Sequence, residues 1–305
     1  MRRHSVSFFF LFLLSLCSNA SWSTLQFSGS KVFVFVPQNL EPSSPLMINL
    51  HGCAQKAQIL VDHGNWEEAA SFYKTIVAIP EVPRGGVIAG CWDYYGLNHT
   101  RTNRHNGFVI DLVSELKNRF SINNEKVFVS GLSSGGGESF VLGCLAPDIF
   151  KGVGLNAAPS VGTSSSEISR ATISINQVSK NCQGLAGDRS ELLKEQRVSI
   201  IYGDNDYLVD RKYSSINAQA YAELLGASVE KPFDTETLRG SNTRGRGTLF
   251  SSRASAEPLV SLIENAGLGH NWPAGQGGRG RSFVSKESID YPYYLLSFFL
   301  SNSQR

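Results

Sequence analysis

The sequence predicts an α/β fold, a mainly parallel sheet with helices on both faces, on three observations. Short apolar runs alternate with helix-periodic segments along the chain. The runs are apolar throughout rather than at every second position, as strands covered on both faces require. Residues 127–137, VFVSGLSSGGG, pass from strand to helix through a serine set among glycines, and functional loops of parallel sheets gather at the carboxyl ends of strands.

The first twenty residues stand apart. Arg2 and Arg3, a run from Phe8 to Leu16 that is apolar except for Ser15, and Ser18-Asn19-Ala20 form the charged, apolar and small-residue regions of a secretory signal. The apolar run is too short for a membrane span, and no later segment approaches the ~18 apolar residues a span needs. The expectation is a secreted protein, extracellular or periplasmic, without stable membrane insertion. Residues 21–305 are expected to form one domain.

Strands are expected at 32–36, 46–50, 75–79, 126–130, 153–157, 198–202 and 259–263. Between them, Phe108, Val109, Leu112, Leu116 and Phe120 recur at helical spacing, Ala220, Ala222, Leu224 and Leu225 do so more loosely, and 291–300 reads as a terminal helix. Two stretches rich in glycine and arginine, RGSNTRGRG at 239–247 and GQGGRGR at 275–281, read as mobile surface loops.

The chain has 28 basic and 26 acidic residues, and loss of the signal's two arginines balances them. No long-range field then argues for nucleic acid or an anionic membrane as partner. Oligomeric state is not legible. Cys17 leaves with the signal, and Cys53, Cys91, Cys144 and Cys182 remain. An even number in an exported chain implies disulfides. Of three pairings, Cys53 with Cys91 and Cys144 with Cys182 is preferred, because Cys53 and Cys91 both follow apolar runs and should emerge at one sheet edge. A zinc site would call for Cys-x-x-Cys or a close histidine pair, and neither occurs. No metal and no cofactor is expected.

Gly131-Leu132-Ser133-Ser134-Gly135 fits a nucleophile elbow, a tight strand-to-helix turn that lifts a serine hydroxyl above the sheet. A serine nucleophile needs a base, an acid to orient the base, and donors for an oxyanion. Of six histidines only His270 lies beyond the late strand, in the glycine-flanked loop GLGHNWPAG, which makes it the candidate base. The run at 198–202 ends in Gly203-Asp204-Asn205-Asp206, two carboxylates of which one is required and the other can cap a turn. The backbone amides of Ser134 and of Cys53, in Leu50-His51-Gly52-Cys53, are the candidate oxyanion donors. His51 reads as structural, organising that loop.

With LHGC, CWDYY, SGLSSGG, GDNDYLV and GHNWPAG in this order, the chain from Lys31 onward resembles the esterase family of polyhydroxybutyrate depolymerases, which also includes feruloyl and acetylxylan esterases. The resemblance implies an α/β-hydrolase fold, a catalytic domain acting outside the cytoplasm, and a serine triad. The family's nucleophile and base fall on Ser133 and His270. Its G-x-x-D-x-x-V block falls on Gly203, Asp206 and Val209, which selects Asp206 as the acid and leaves Asp204 the capping role. Its paired cysteines fall on Cys53 and Cys91. Two departures bear on the substrate cleft: Tyr202 stands where the family often has His, and the aromatic block reads Trp92-Asp93-Tyr94-Tyr95 rather than a run ending in Trp-Phe. The function implied is cleavage of a polyhydroxyalkanoate or its oligomers through an acyl-enzyme, with Trp92, Tyr94, Tyr95 and Trp272 as an apolar wall for the polyester. The alternatives are a feruloyl or acetylxylan esterase and, from a different class, a non-catalytic secreted binding protein.

Overall fold

The apolar runs form the middle of a ten-stranded sheet. The structure, a computed structural model, describes residues 20–301, so the expected signal segment lies outside the described residues except for Ala20. The strands are β1 (Ser21–Phe27), β2 (Ser30–Val36), β3 (Ser44–Leu50), β4 (Ile76–Pro80), β5 (Ile122–Leu132), β6 (Gly152–Asn156), β7 (Arg197–Gly203), β8 (Val229–Phe233), β9 (Gly245–Ser251) and β10 (Pro258–Asn265), in the order β1-β2-β4-β3-β5-β6-β7-β10-β9-β8. From β4 to β10 all neighbours pair in parallel, and antiparallel strands flank both sides of this block. A small separate pair, β11 (Trp272–Pro273) with β12 (Val284–Ser285), lies beyond.

Among the described residues seven α-helices cover the sheet: α1 (Ala57–His63), α2 (Trp66–Phe72), α3 (Asn106–Arg119), α4 (Ser134–Leu145), α5 (Ile175–Ala186), α6 (Lys212–Leu225) and α7 (Tyr291–Leu300). Strand alternation divides the core between two faces. Val32, Val34, Leu46, Ile48, Val127 and Val129 pack towards α3, α4, α5 and α6. Phe33, Phe35, Met47, Val77 and Phe128 pack on the other side, towards α1, α2 and α7. Every residue of α4 is buried, because it sits between the sheet and neighbouring helices.

Of the flanking strands, β1, β8 and β9 are the ones that hydrophobic runs do not announce. β1 (SWSTLQF) is exposed or half-buried throughout, and it joins β2 through Ser28 and Gly29, both at positive φ, as a tight hairpin turn requires. β8 (VEKPF) is an exposed edge strand whose Pro232 removes one amide from the ladder. The stretch 239–247 is corrected from a free loop: its last three residues begin β9. Gly247 lies opposite Phe233, whose ring lies in the space a Cβ would need. Arg246 is paired with Glu264 on β10 at 2.8 Å, and Arg239 reaches Glu68 and covers the ring of Tyr293.

Both expected disulfides are formed, Cys53–Cys91 and Cys144–Cys182, each closing a sequence separation of 38 residues. The second ties α4 to α5. With all four cysteines paired, the zinc alternative loses its thiolates. Among the described residues no helix is long and apolar enough to cross a membrane.

Loops of this length stabilise a fold by roughly 4 kcal/mol each when closed. Replacing both cysteines of either pair with serine is therefore expected to lower the unfolding free energy by about that amount. Denaturant titration of the two double variants checks it, and near-equal losses are the expected result.

Candidate active site

β5 ends at Leu132 and α4 begins at Ser134, so a single residue turns the chain. That residue, Ser133, has φ 56° and ψ −117°, a conformation costly for any side chain and retained only where surroundings impose it. Its N–H donates to the carbonyl of Asn156 at the end of β6, and its carbonyl accepts from Gly137, starting the helix.

The glycines around it answer to space. A Cβ on Gly131 would lie less than 3 Å from the backbone of Gly135, and one on Gly135 would lie less than 3 Å from the carbonyls of Leu50 and His51. The turn therefore sits directly on the carboxyl end of β3. Gly136 would meet Ala158 at 2.7 Å, and Gly137 would meet the ring of Tyr94 at 2.6 Å. Only hydrogen at these positions lets the start of α4 descend far enough for Ser133 to stand above the sheet.

The loop after β3 is held from several directions. His51 is buried, its Nδ1 donates to the carbonyl of Gly52 at 2.8 Å, and its Nε2 accepts from the N–H of Val82 at 3.2 Å. These roles need a neutral ring, and burial lowers its pKa to about 4, in keeping with a structural histidine. Gln55 accepts from the N–H of Gly52 and donates to the carbonyl of Ser282. Cys53 is bonded to Cys91, and the next residue, Trp92, donates its N–H to the Ser134 hydroxyl at 3.3 Å. The two candidate oxyanion residues, Cys53 and Ser134, are thus linked through Cys91-Trp92.

Asp206 leaves the end of β7 and His270 follows β10, two and three positions from β5 in the sheet. Asp206 Oδ2 lies 2.7 Å from His270 Nδ1, and its Oδ1 accepts from the N–H groups of Leu208 and Val209. A carboxylate only accepts, so Nδ1 carries the proton and Nε2 is left as the basic nitrogen. Asp204 plays a different part, since its Oδ1 accepts from the N–H of Gly267 at 2.7 Å and ties the two loops together. Gly203 leaves no room for a Cβ beside Leu268, whose carbonyl accepts from Asn205. Phe283 packs edge-on to His270, 6.1 Å between centroids, next to the Ser282 carbonyl held by Gln55.

The aromatic wall is corrected. Trp92, Tyr94 and Trp272 are buried, and only Tyr95 is half-exposed. Trp92 packs between His51 and His105, Tyr94 lies against Gly137 and Tyr95, and Trp272 packs on Trp66 and Tyr291 while its indole N–H donates to Gly64. Loops that must hold backbone donors need a filled core beneath them, and these rings fill it. Exposed apolar side chains lie elsewhere at this edge. Tyr207 and Leu208, directly after Asp206, are 83% and 53% exposed, and Ile88, in the loop closed by Cys53–Cys91, is 65% exposed. Apolar residues immediately after the acid were the available signal for them. Arg279 and Arg281 are exposed as well.

A parallel sheet with helices on both faces and a strained serine turn at its carboxyl edge is the architecture of an α/β hydrolase. Within that class the chain belongs to the family of esterase PHB depolymerases, which residues 31–220 match. It is 28% identical over 305 residues to a poly(3-hydroxybutyrate) depolymerase of Ralstonia pickettii, covering 94% of this chain and 61% of that protein. It is 23% identical to poly(3-hydroxyalkanoate) depolymerase C of Paucimonas lemoignei, over 97% of this chain and 75% of the relative. Among solved structures, the acetyl xylan esterase from Aspergillus awamori superposes with a TM-score of 0.67 at 17% identity, covering 82% of this chain and 94% of that one.

Two glycine substitutions test the packing argument. Gly135→Ala is expected to cost at least ~2 kcal/mol, because backbone carbonyls block the methyl group. Gly184→Ala, on the exposed side of α5 with nothing within 4 Å of the new Cβ, should stabilise by roughly 0.5–1 kcal/mol. Chemical denaturation of both variants reads the two signs directly.

Proposed function

We propose that the chain is a secreted serine esterase that cleaves a polyhydroxyalkanoate, or oligomers of it, through an acyl-enzyme. The observation that carries this reading is the Asp206–His270 pair at 2.7 Å, presented at the same sheet edge as Ser133 on its strained turn. In the mechanism, the Ser133 hydroxyl attacks the ester carbonyl while His270 Nε2 takes its proton. Asp206 holds the ring and stabilises the imidazolium. The N–H groups of Ser134, at the first turn of a twelve-residue helix, and of Cys53 receive the developing oxyanion. His270 then protonates the departing alcohol, and a water activated by the same nitrogen releases the acid.

The polyester reading draws on the depolymerase relatives and on the exposed Tyr207, Leu208 and Ile88, which offer an apolar rim to a water-insoluble chain. Half-exposed Tyr95 adds to it. Trp92, Tyr94 and Trp272 support the rim from below. Export is supported by the signal-like first twenty residues and by two disulfides, which persist in oxidising compartments. The rival is a plant-wall acetyl or feruloyl esterase.

Side-by-side turnover of short 3-hydroxybutyrate oligomers, a medium-chain polyester, methyl ferulate and acetylated xylan discriminates between them. Preference for ferulate or acetylated xylan would replace the polyester reading. Ser133→Ala is expected to abolish hydrolysis on all four with the fold intact. Asp206→Asn should lower turnover by about 10⁴, whereas Asp204→Asn, which keeps an oxygen to accept from the N–H of Gly267, should cost far less. Exchanged effects of the two aspartates would reassign the acid.

A further inference from the structure

The wholly buried helix α4 carries one ionisable group, Glu138. Its side chain is fully buried, and neither carboxyl oxygen has a hydrogen-bond partner among the described residues. Glu138 lies one turn beyond Ser134, on the same helix face. That face meets the Cys91–Asp93 segment, because the Ser134 hydroxyl accepts from the N–H of Trp92. Its neighbour Gly137 faces the ring of Tyr94, and α4 packs against α3, so Glu138 lies towards this segment and α3, with Asp93 and Arg104 as the charges that act on it.

Three further buried atoms on residues 92–94 and at the start of α3 are unpartnered among the described residues, Trp92 Nε1, Tyr94 Oη and Asn106 Oδ1, and the first and last are complementary. The indole Nε1–H of Trp92 is a donor without an acceptor, and Asn106 Oδ1, in the first turn of α3, is an acceptor without a donor. A protonated carboxyl supplies one of each, whereas a carboxylate has no proton to give to Asn106. The surrounding charges favour the neutral form. Arg104, the nearby cation, is committed to Asp93 Oδ1 at 3.0 Å and to the carbonyl of Tyr95 at 2.7 Å. His105 accepts from the N–H of Asp93 through Nδ1, and burial lowers its pKa and that of His99. Burial raises the Tyr94 phenol, so that group stays neutral too.

We propose that Glu138 is a positioning residue that works as a neutral acid, its protonated carboxyl donating to Asn106 and reaching Trp92 through buried water, and so holding the segment that links Cys53 to Ser134. Ionisation breaks the bridge and loosens both oxyanion donors. This rests on the reading of Ser134 and Cys53 as those donors.

Burial pushes the carboxyl from 4.5 up to about 8. The folded value lies above the unfolded one, so the contribution to stability is fully present below about 4.5 and is lost as the pH rises through about 8.

The test compares the wild type with Glu138→Gln and Glu138→Leu between pH 6 and 9.5. It measures turnover of p-nitrophenyl butyrate and, independently of activity, the melting temperature. The wild type should lose turnover reversibly above pH ~8, with kcat falling more than KM, and its melting temperature should fall from pH 6 to about 8 and level off above that. Glu138→Gln, which keeps a donor and an acceptor but cannot ionise, should retain turnover at pH 7 within about threefold and show neither the loss of turnover above pH ~8 nor the fall in melting temperature below it. Glu138→Leu should lose at least tenfold in kcat at pH 7. Identical alkaline profiles for the wild type and Glu138→Gln would overturn the proposal, as would full kcat in Glu138→Leu. Should the leucine variant fail to fold, the glutamine comparison decides alone. If the wild type hydrolyses no ester, the esterase reading fails, while the melting profiles still test Glu138.

Discussion

Everything at the candidate site depends on one close approach, the seating of the β5–α4 turn on the carboxyl end of β3. Gly131 touches the backbone of Gly135, and Gly135 touches the carbonyls of Leu50 and His51, with no side chain between. Backbone-to-backbone packing of this kind has no slack, since a methyl group would force strands apart that are already paired in register. The same approach sets the height of Ser133, brings the start of α4 beside the Cys53 loop, and imposes the positive φ at Ser133. The strain at one residue is sustained by the sheet on either side, including the hydrogen bond from Ser133 to Asn156 on β6.

Around that contact the loops are cross-braced rather than independently placed. The Cys53–Cys91 bond and the Trp92 N–H to Ser134 join the first loop to the helix. Gln55 joins it to Ser282, beside Phe283, which packs on His270. Asp204 and Gly203 clamp the loop carrying His270 against the loop carrying Asp206. The loops that carry the candidate groups are therefore braced by one another, and preorganised donors demand such bracing. The buried aromatics serve this bracing, while Tyr207, Leu208 and Ile88 meet solvent.

The sequence by itself determined the parallel core of the sheet and the antiparallel β2 beside it, because strands buried on both faces must be apolar at every position, and all seven runs are strands at the expected places. It likewise marked the elbow, through glycines that only close approach explains, and both disulfides, through an even number of cysteines in a chain with a signal-like start. Tertiary structure alone decided the rest. β1, β8 and β9 sit outside the doubly covered block, where polar residues, a proline and glycines are tolerated, so they carry no apolar run to read. Residue type left Asp204 and Asp206 equal, and the family resemblance preferred Asp206; that its Oδ2 meets Nδ1 of a ring 64 residues away is a contact only the fold brings about. Trp92, Tyr94 and Trp272 read as a cleft wall because an aromatic residue beside a site motif carries no mark of the direction it faces. Their burial was settled by the fold, which had loops to support before it had a substrate to meet.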